Sequence, residues 1–269
     1  MRFEKRIIIG GLPRAGTTLF RYMLDASNQV ISGPETAFFL QTLSTHQNRV
    51  ERSAQRINRA LEIGEEAIRE AILDSRTSFE AFDMMMSAYC RAHGVKKTMW
   101  AEKTPFNCAS YNWLAMEHAD AHFISLVRDG RDVLTSKIDD REDYHVSIQR
   151  YVESMQFVYG FKHDHHMIVR YEDMVADSAG MMMRVCDFLG IAFDAGMLER
   201  YRHEAPTRDA TKVHQPKVQQ PVSSAWIGRW AKPEHTERMR AIAADERVTQ
   251  WLVRSGYSVN REHTMTSIK

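Results

Sequence analysis

Residues Ile7-Ile8-Ile9-Gly10-Gly11-Leu12-Pro13-Arg14-Ala15-Gly16-Thr17-Thr18 constrain this chain more than any other stretch. A β-branched run enters a Gly/Pro turn, and the turn enters a helix carrying Leu19, Phe20, Met23 and Leu24. Such a strand–loop–helix unit leaves first-turn N–H groups aimed at whatever lies above the loop. The spacing Gly11-x-x-x-x-Gly16-Thr17-Thr18 is that of a phosphate-binding loop, except that Thr17 stands where nucleotide triphosphatases carry lysine. Arg14 brings the positive charge from inside the loop instead. The loop therefore suits an anion, with altered wiring for a Mg-bound triphosphate.

The rest of the chain sets bounds. With 269 residues, 43% of them hydrophobic, it can form one large α/β domain. We read residues 1–269 as a single domain. A formal net charge of +1 gives no broad field for nucleic acid or membrane, so any anion site is local. Cys90, Cys108 and Cys186 are odd in number and lack Cys-x-x-Cys spacing, which predicts reduced, core-packed thiols. No signal peptide or membrane-length apolar run is visible, and the expected location is cytoplasmic. A homodimer is compatible with this composition.

Strands are expected at about 6–11, 30–32, 98–102, 122–127 and 167–170, alternating with helices. Residues 40–97 read as a helical insertion with an Arg/Glu-rich solvated face at 49–70. Helices are also expected at about 107–118, 144–163 and 178–189, the last closed by Gly190. Residues 204–224, with Pro206, Pro216 and Pro221, read as a lid-like loop. The pattern predicts an α/β fold: a parallel sheet of the phosphate-loop (P-loop) type flanked by helices. Ligands of such sheets sit at the carboxyl ends of the strands. Arg14, Glu35, Lys103, Arg128 and Tyr171 all follow predicted strands, so the topology converges them.

A triphosphatase needs a carboxylate at the end of an apolar strand to hold Mg²⁺. Here the strand His122-Phe123-Ile124-Ser125-Leu126-Val127 ends in Arg128, and Asp129 and Asp132 each adjoin an arginine. That pattern suits an anion held without a metal. His163, His165 and His166 lack metal-ligand spacing and read as solvated histidines. Met84, Met85 and Met86, with Met181, Met182 and Met183, read as helix positions filling core and adjoining surface.

These motifs resemble the sulfotransferases that use 3′-phosphoadenosine 5′-phosphosulfate (PAPS). The matching residues are Gly11-Leu12-Pro13-Arg14-Ala15-Gly16-Thr17-Thr18, Lys103-Thr104-Pro105, and Val127-Arg128-Asp129-Gly130-Arg131-Asp132-Val133-Leu134-Thr135-Ser136. Tyr171-Glu172-Asp173, Asp187-Phe188-Leu189-Gly190 and Trp226-Ile227-Gly228-Arg229-Trp230 follow in the same order. The N-terminal part, with Glu35-Thr36, is most similar to tyrosylprotein sulfotransferases.

The resemblance implies roles. Arg14, Ala15, Gly16, Thr17 and Thr18 would hold the 5′-phosphosulfate, and Arg128 and Ser136 the 3′-phosphate. Tyr171 would contact the adenosine portion, and Arg229 would close over the nucleotide. Glu35 matches the general base on the acceptor hydroxyl, and Lys103 the lysine at the leaving phosphate. Arg131 and Asp132 read as structural ion partners, and Glu172 and Asp173 as capping or pairing groups.

Three positions depart from the tyrosylprotein pattern: Ala37 and Asp140 stand where that pattern has arginines, with Arg141 adjoining, and His214 replaces a serine. His214 is thus a second candidate base, or a lid residue. The departures leave the acceptor open between alcohols, phenols, sugars, lipids and peptides, with a small-molecule hydroxyl expected first. Phe38, Phe39, Trp100 and Tyr111 are placed either along an acceptor pocket or in the core. Two other functions compete: a phosphate-loop kinase on a small metabolite, and a non-catalytic sensor of adenosine 3′,5′-bisphosphate. Thr17 and Arg128 count against the kinase, and retention of Glu35 and Lys103 counts against the sensor.

Overall fold

The computed structural model describes residues 2–41, 43–137, 143–203 and 220–259. His214, Asp140, Arg141 and residues 204–219 of the lid-like loop lie outside the described residues. Five strands, β1 (Lys5–Gly11), β2 (Val30–Ile31), β3 (Met99–Lys103), β4 (His122–Val127) and β5 (His166–Arg170), form one sheet in the order β2-β3-β1-β4-β5. All four pairings are parallel. The register sets Ile9 opposite Lys103, Gly11 opposite Leu126 and Val127 opposite Arg170. All the carboxyl ends therefore share one edge.

A parallel sheet must be covered on both faces, which is why its inner strands are apolar throughout. Every residue of β4 is buried. Helix α1 (Thr17–Asp25) follows the first loop. Three helices separate β2 from β3 in sequence: α2 (Gln47–Leu61), α3 (Glu65–Leu73) and α4 (Ser78–Ala92). Val50, Ala54, Ile57 and Leu61 give α2 a buried stripe at helical spacing. Its charged face is solvated, and Arg69 of α3 gathers Glu51, Glu65 and Glu66.

Several boundaries differ from expectation for local reasons. β3 runs through Lys103, which belongs to the strand end rather than to a turn. Pro105 opens a 3-10 turn (Pro105–Ser110) ahead of α5 (Tyr111–Glu117), because proline preset in φ and lacking N–H suits a helix's first turn. The helix expected at 144–163 is shorter, α7 (Ile148–Gly160), since the Ser147 side chain caps it by accepting the Arg150 N–H.

The aromatic residues offered as acceptor lining belong to the core. Phe38, Phe39, Trp100 and Tyr111 are all buried. Phe39 stacks on Trp100 with centroids 5.9 Å apart, Phe82 meets Trp100 edge-on at 4.7 Å, and Tyr111 donates to the Ile124 carbonyl at 3.1 Å. The three histidines near β5, expected to be solvated, are half-buried and make ring contacts. His165 stacks on His122 at 4.5 Å, His163 stacks on Phe161 at 5.7 Å, and His166 meets the Ser125 hydroxyl at 2.9 Å.

Candidate active site

Two groups of side chains assemble along the carboxyl edge of the sheet. The first is the loop between β1 and α1. Gly11 has φ +114, and a Cβ there would sit 2.6 Å from the Leu126 nitrogen. Gly16, the N-cap of α1, has φ +79, and a Cβ there would sit 2.6 Å from Cδ2 of Tyr171. Glycine is therefore required twice, once for backbone against backbone and once for backbone against a ring. No side chain caps α1, so its first-turn N–H groups lack a capping oxygen of the chain's own. Arg14 also lies in the left-handed region, at φ 64, and is exposed.

Arg14 Nε donates to Ser136 Oγ at 2.8 Å, just beyond α6 (Gly130–Leu134). Arg128 Nη1 donates to the Arg14 carbonyl at 3.1 Å, and its guanidinium lies 4.5 Å from the centre of the Tyr171 ring. The residues expected at the two ends of the nucleotide are thus linked through side chain and backbone. Burial pushes the Tyr171 phenol up, and the Arg128 charge pulls it partly back.

Asp132 fastens the C-terminal segment to this group. It pairs with Arg128 at 3.2 Å, accepts the Gly228 N–H at 2.9 Å, and accepts the Trp230 N–H at 3.1 Å. Arg128 Nη2 also donates to the Trp226 carbonyl. Arg229 stacks over Trp226 at 4.6 Å, and Arg131 over Trp230 at 4.1 Å while pairing with Asp129 at 2.6 Å. Asp132 thus does more than the ion pairing expected of it. The signal was available in the i, i+4 spacing from Arg128, but its backbone partners, 96 and 98 residues on, were not.

The second group lies at the end of β3. Lys103 Nζ donates to Glu35 Oε2 at 2.6 Å. The lysine side chain is only 5% exposed, whereas the glutamate side chain is 46% exposed. The pair is anchored from below and open to solvent from above. Ala37, where the resemblance would place an arginine, is in the left-handed region at φ 53. Cys108 is buried, with its Sγ against the Gly11 and Pro105 carbonyls, and burial pushes its thiol up to about 11, as befits an inert core position.

The cradle fits a ligand with phosphate groups at both ends. Gly16 is held open against Tyr171, α1 presents an uncapped first turn, and the buried Arg128 Nε has no hydrogen-bond partner among the described residues. No group of three or more His, Cys, Asp or Glu side chains is arranged to hold a metal among the described residues. No described helix is long and apolar enough to cross a membrane.

A parallel sheet with an arginine-bearing phosphate loop and a Lys–Glu pair at one edge is an arrangement suited to a group-transfer enzyme. The sulfotransferase family model matches residues 6–195, and the chain belongs to that family. Among curated relatives, protein-tyrosine sulfotransferase 1 of Danio rerio is 27% identical over 271 residues, covering 93% of this chain and 72% of that protein. Protein-tyrosine sulfotransferase A of Caenorhabditis elegans is 25% identical over 270 residues, covering 94% and 67%. Protein-tyrosine sulfotransferase 1 of Homo sapiens is 32% identical over 132 residues, 49% of this chain and 33% of that protein. The sulfotransferase domain of the Synechococcus PCC 7002 olefin synthase superposes with a TM-score of 0.65 at 20% identity, covering 97% of this chain and 98% of that domain. The sulfotransferase domain of the curacin biosynthetic pathway gives 0.61 at 18%, covering 97% and 100%. Both share the fold.

Proposed function

We propose that this enzyme moves a sulfuryl group from PAPS to a hydroxyl, with a tyrosyl phenol as the acceptor. The contact that carries the reading is Lys103 Nζ to Glu35 Oε2 at 2.6 Å, a base and a cation side by side on the edge that also bears the anion cradle. Arg14 and the first turn of α1 would hold the phosphosulfate. Arg128 and Ser136 would hold the 3′-phosphate, Tyr171 would flank the adenosine, and Arg229 would cover it. When bound, the donor supplies an activated sulfuryl group whose leaving group is a phosphate.

The chain's own residues do the rest. Glu35 takes the proton of the acceptor hydroxyl. Lys103 holds positive charge where negative charge grows on the leaving oxygen. Holding both partners in line supplies much of the acceleration, as in phosphoryl transfer. A phenol, with a pKa of about 10, asks less of a carboxylate base than an aliphatic alcohol does. The names of the curated relatives favour a tyrosyl phenol over the small-molecule hydroxyl expected from the sequence.

A kinase reading has less support. Asp132 is engaged by Arg128 and two backbone N–H groups, and Asp129 by Arg131. Thermal-shift titration separates the two. We expect stabilisation by 3′-phosphoadenosine 5′-phosphate without Mg²⁺ and little by ATP; stabilisation by Mg-ATP alone would favour the kinase. Transfer of labelled sulfate from PAPS is then measured across tyrosine peptides, simple phenols, sugars and alcohols. Labelled peptide supports the tyrosyl acceptor, and label on sugars or alcohols alone moves the acceptor class.

A further inference from the structure

Glu102, beside Lys103 at the end of β3, is a fully buried carboxylate, only 1% exposed. Its two oxygens accept four hydrogen bonds. Oε1 takes the Thr36 N–H at 3.2 Å, the Thr36 hydroxyl at 2.8 Å and the Thr104 hydroxyl at 2.8 Å. Oε2 takes the Asn107 amide at 2.6 Å. The directions of the hydroxyl bonds are fixed. Thr36 Oγ1 already accepts the Phe38 N–H at 3.2 Å, and Thr104 Oγ1 accepts the Ala37 N–H at 3.0 Å, so each hydroxyl proton is left for the carboxylate. Thr36, Thr104 and Asn107 are themselves buried.

This network holds the backbone of residues 36–38 in place, including the left-handed Ala37. Successive side chains of a strand point to opposite faces, so Glu102 and Lys103 leave the end of β3 on opposite sides. Glu35 meets Lys103 on one side, and Thr36 meets Glu102 on the other. The Glu35-Thr36 dipeptide therefore straddles the strand end. Burial pushes the Glu102 carboxyl up, and the donated bonds pull it back. Arg56 of α2 lies within its field, and its Nε and Nη2 are buried with no hydrogen-bond partner among the described residues.

We propose that Glu102 is a positioning residue, which through Thr36 holds the base Glu35 against Lys103 while leaving the nucleotide cradle to other elements. The proposal rests on the reading of Glu35 as base. Truncating a hydrogen bond that fixes a base acts on turnover rather than on nucleotide affinity.

The test uses Glu102→Gln, Thr36→Val and Thr36→Ser in the full chain, with PAPS and a tyrosine-containing acidic peptide as probes. Glu102→Gln and Thr36→Val should each lower kcat by about 10- to 100-fold, with the peptide KM and the affinity for 3′-phosphoadenosine 5′-phosphate unchanged within about twofold. Thr36→Ser, which restores the hydroxyl, should return kcat to within about threefold of the natural chain. Combining Glu102→Gln with Thr36→Val should cost little more than either alone, since both cut one connection. Full turnover in folded Thr36→Val overturns the proposal, even if Glu102→Gln fails to fold. So does a fall in kcat that tracks lost nucleotide affinity. Should the natural chain transfer nothing from PAPS, the functional reading fails separately. A crystal structure of Thr36→Val then decides the positioning claim alone: an unchanged Glu35–Lys103 contact overturns it.

Discussion

Lys103 and Glu35, 68 positions apart in sequence, meet at 2.6 Å, and the lysine has its ammonium in a nearly closed site while the glutamate faces solvent. An almost buried cation needs a partner, because taking it out of water unpaired is costly. An incoming anion can replace that partner. On the proposed reading of Glu35 as base, it is held in reserve by the same lysine that would serve the leaving phosphate.

Glu35→Gln should leave the affinity for 3′-phosphoadenosine 5′-phosphate intact and lower turnover by roughly 100-fold or more. The contrasting variant, Lys103→Met, removes the cation but keeps the length and the apolar stem. It should fold, because an apolar side chain suits a site that is 5% exposed, and it should also lose turnover. Isothermal calorimetry and steady-state rates check both. Unaltered turnover in Glu35→Gln would remove it from the base role and return attention to His214.

Much of the fold could be read from the sequence, because its rules are local. Ile7, Ile8 and Ile9 before a glycine turn specify a buried strand, and Gly190, at φ 61, ends the helix Ser178–Leu189 where expected. The placing of Arg14, Glu35, Lys103, Arg128 and Tyr171 at or after the strand ends followed from topology, whereas their roles came only from the resemblance. What could not be read were contacts across long separations. Nothing in Glu102-Lys103-Thr104 says that Thr36 will donate to the first residue and Glu35 will meet the second. The aromatic cluster around Trp100 was ambiguous for a different reason. Pocket lining and core have the same composition, and only burial distinguishes them.

Gly11→Ala and Gly64→Ala test the phosphate loop against a matched control. Both positions have positive φ, +114 and +90, so both substitutions meet backbone strain. At Gly64 a Cβ meets nothing within 4 Å, and the loss should be about 1 kcal/mol. At Gly11 it overlaps the Leu126 backbone, which belongs to the neighbouring strand and cannot yield. Since strain is common to both, urea denaturation should place Gly11→Ala below Gly64→Ala by about 1–3 kcal/mol, the range of overpacked core variants. Equal midpoints for the two variants would remove the claim that Leu126 fixes the loop.

Asp132→Asn should loosen the C-terminal segment over the cradle. An amide keeps one acceptor oxygen, so either Gly228 N–H or Trp230 N–H loses its bond, and the pairing with Arg128 weakens. A lost bond to a charged group is worth about 1.5–3 kcal/mol. Affinity for 3′-phosphoadenosine 5′-phosphate should therefore fall by at least about tenfold if the segment covers the nucleotide. Calorimetry checks this, and unchanged affinity would mean that residues 226–230 do not contribute to the grip.

The histidines at the opposite end of the sheet make stability depend on pH. The imidazoles of His122 and His166 are each pushed down to about 4, in both cases chiefly by burial. The charges facing them reinforce this: His165, Lys5 and His163 around His122, and Lys162 and His163 around His166. In the unfolded chain a histidine titrates near about 6.5, so between about 6.5 and about 4 the unfolded state binds more protons. Stability is then complete above about pH 6.5 and declines as the pH falls through this window, by something on the order of 1–3 kcal/mol for each imidazole. Urea midpoints measured at about pH 7.5 and about pH 5 bracket most of the loss while paired carboxylates remain ionised. His122→Gln removes one titrating group from the stack with His165 and should flatten the curve, leaving the slope due to His166 and to His118, His145 and His235, which burial also pushes down. A variant curve parallel to that of the natural chain would show that His122 takes up its proton without opposing the fold.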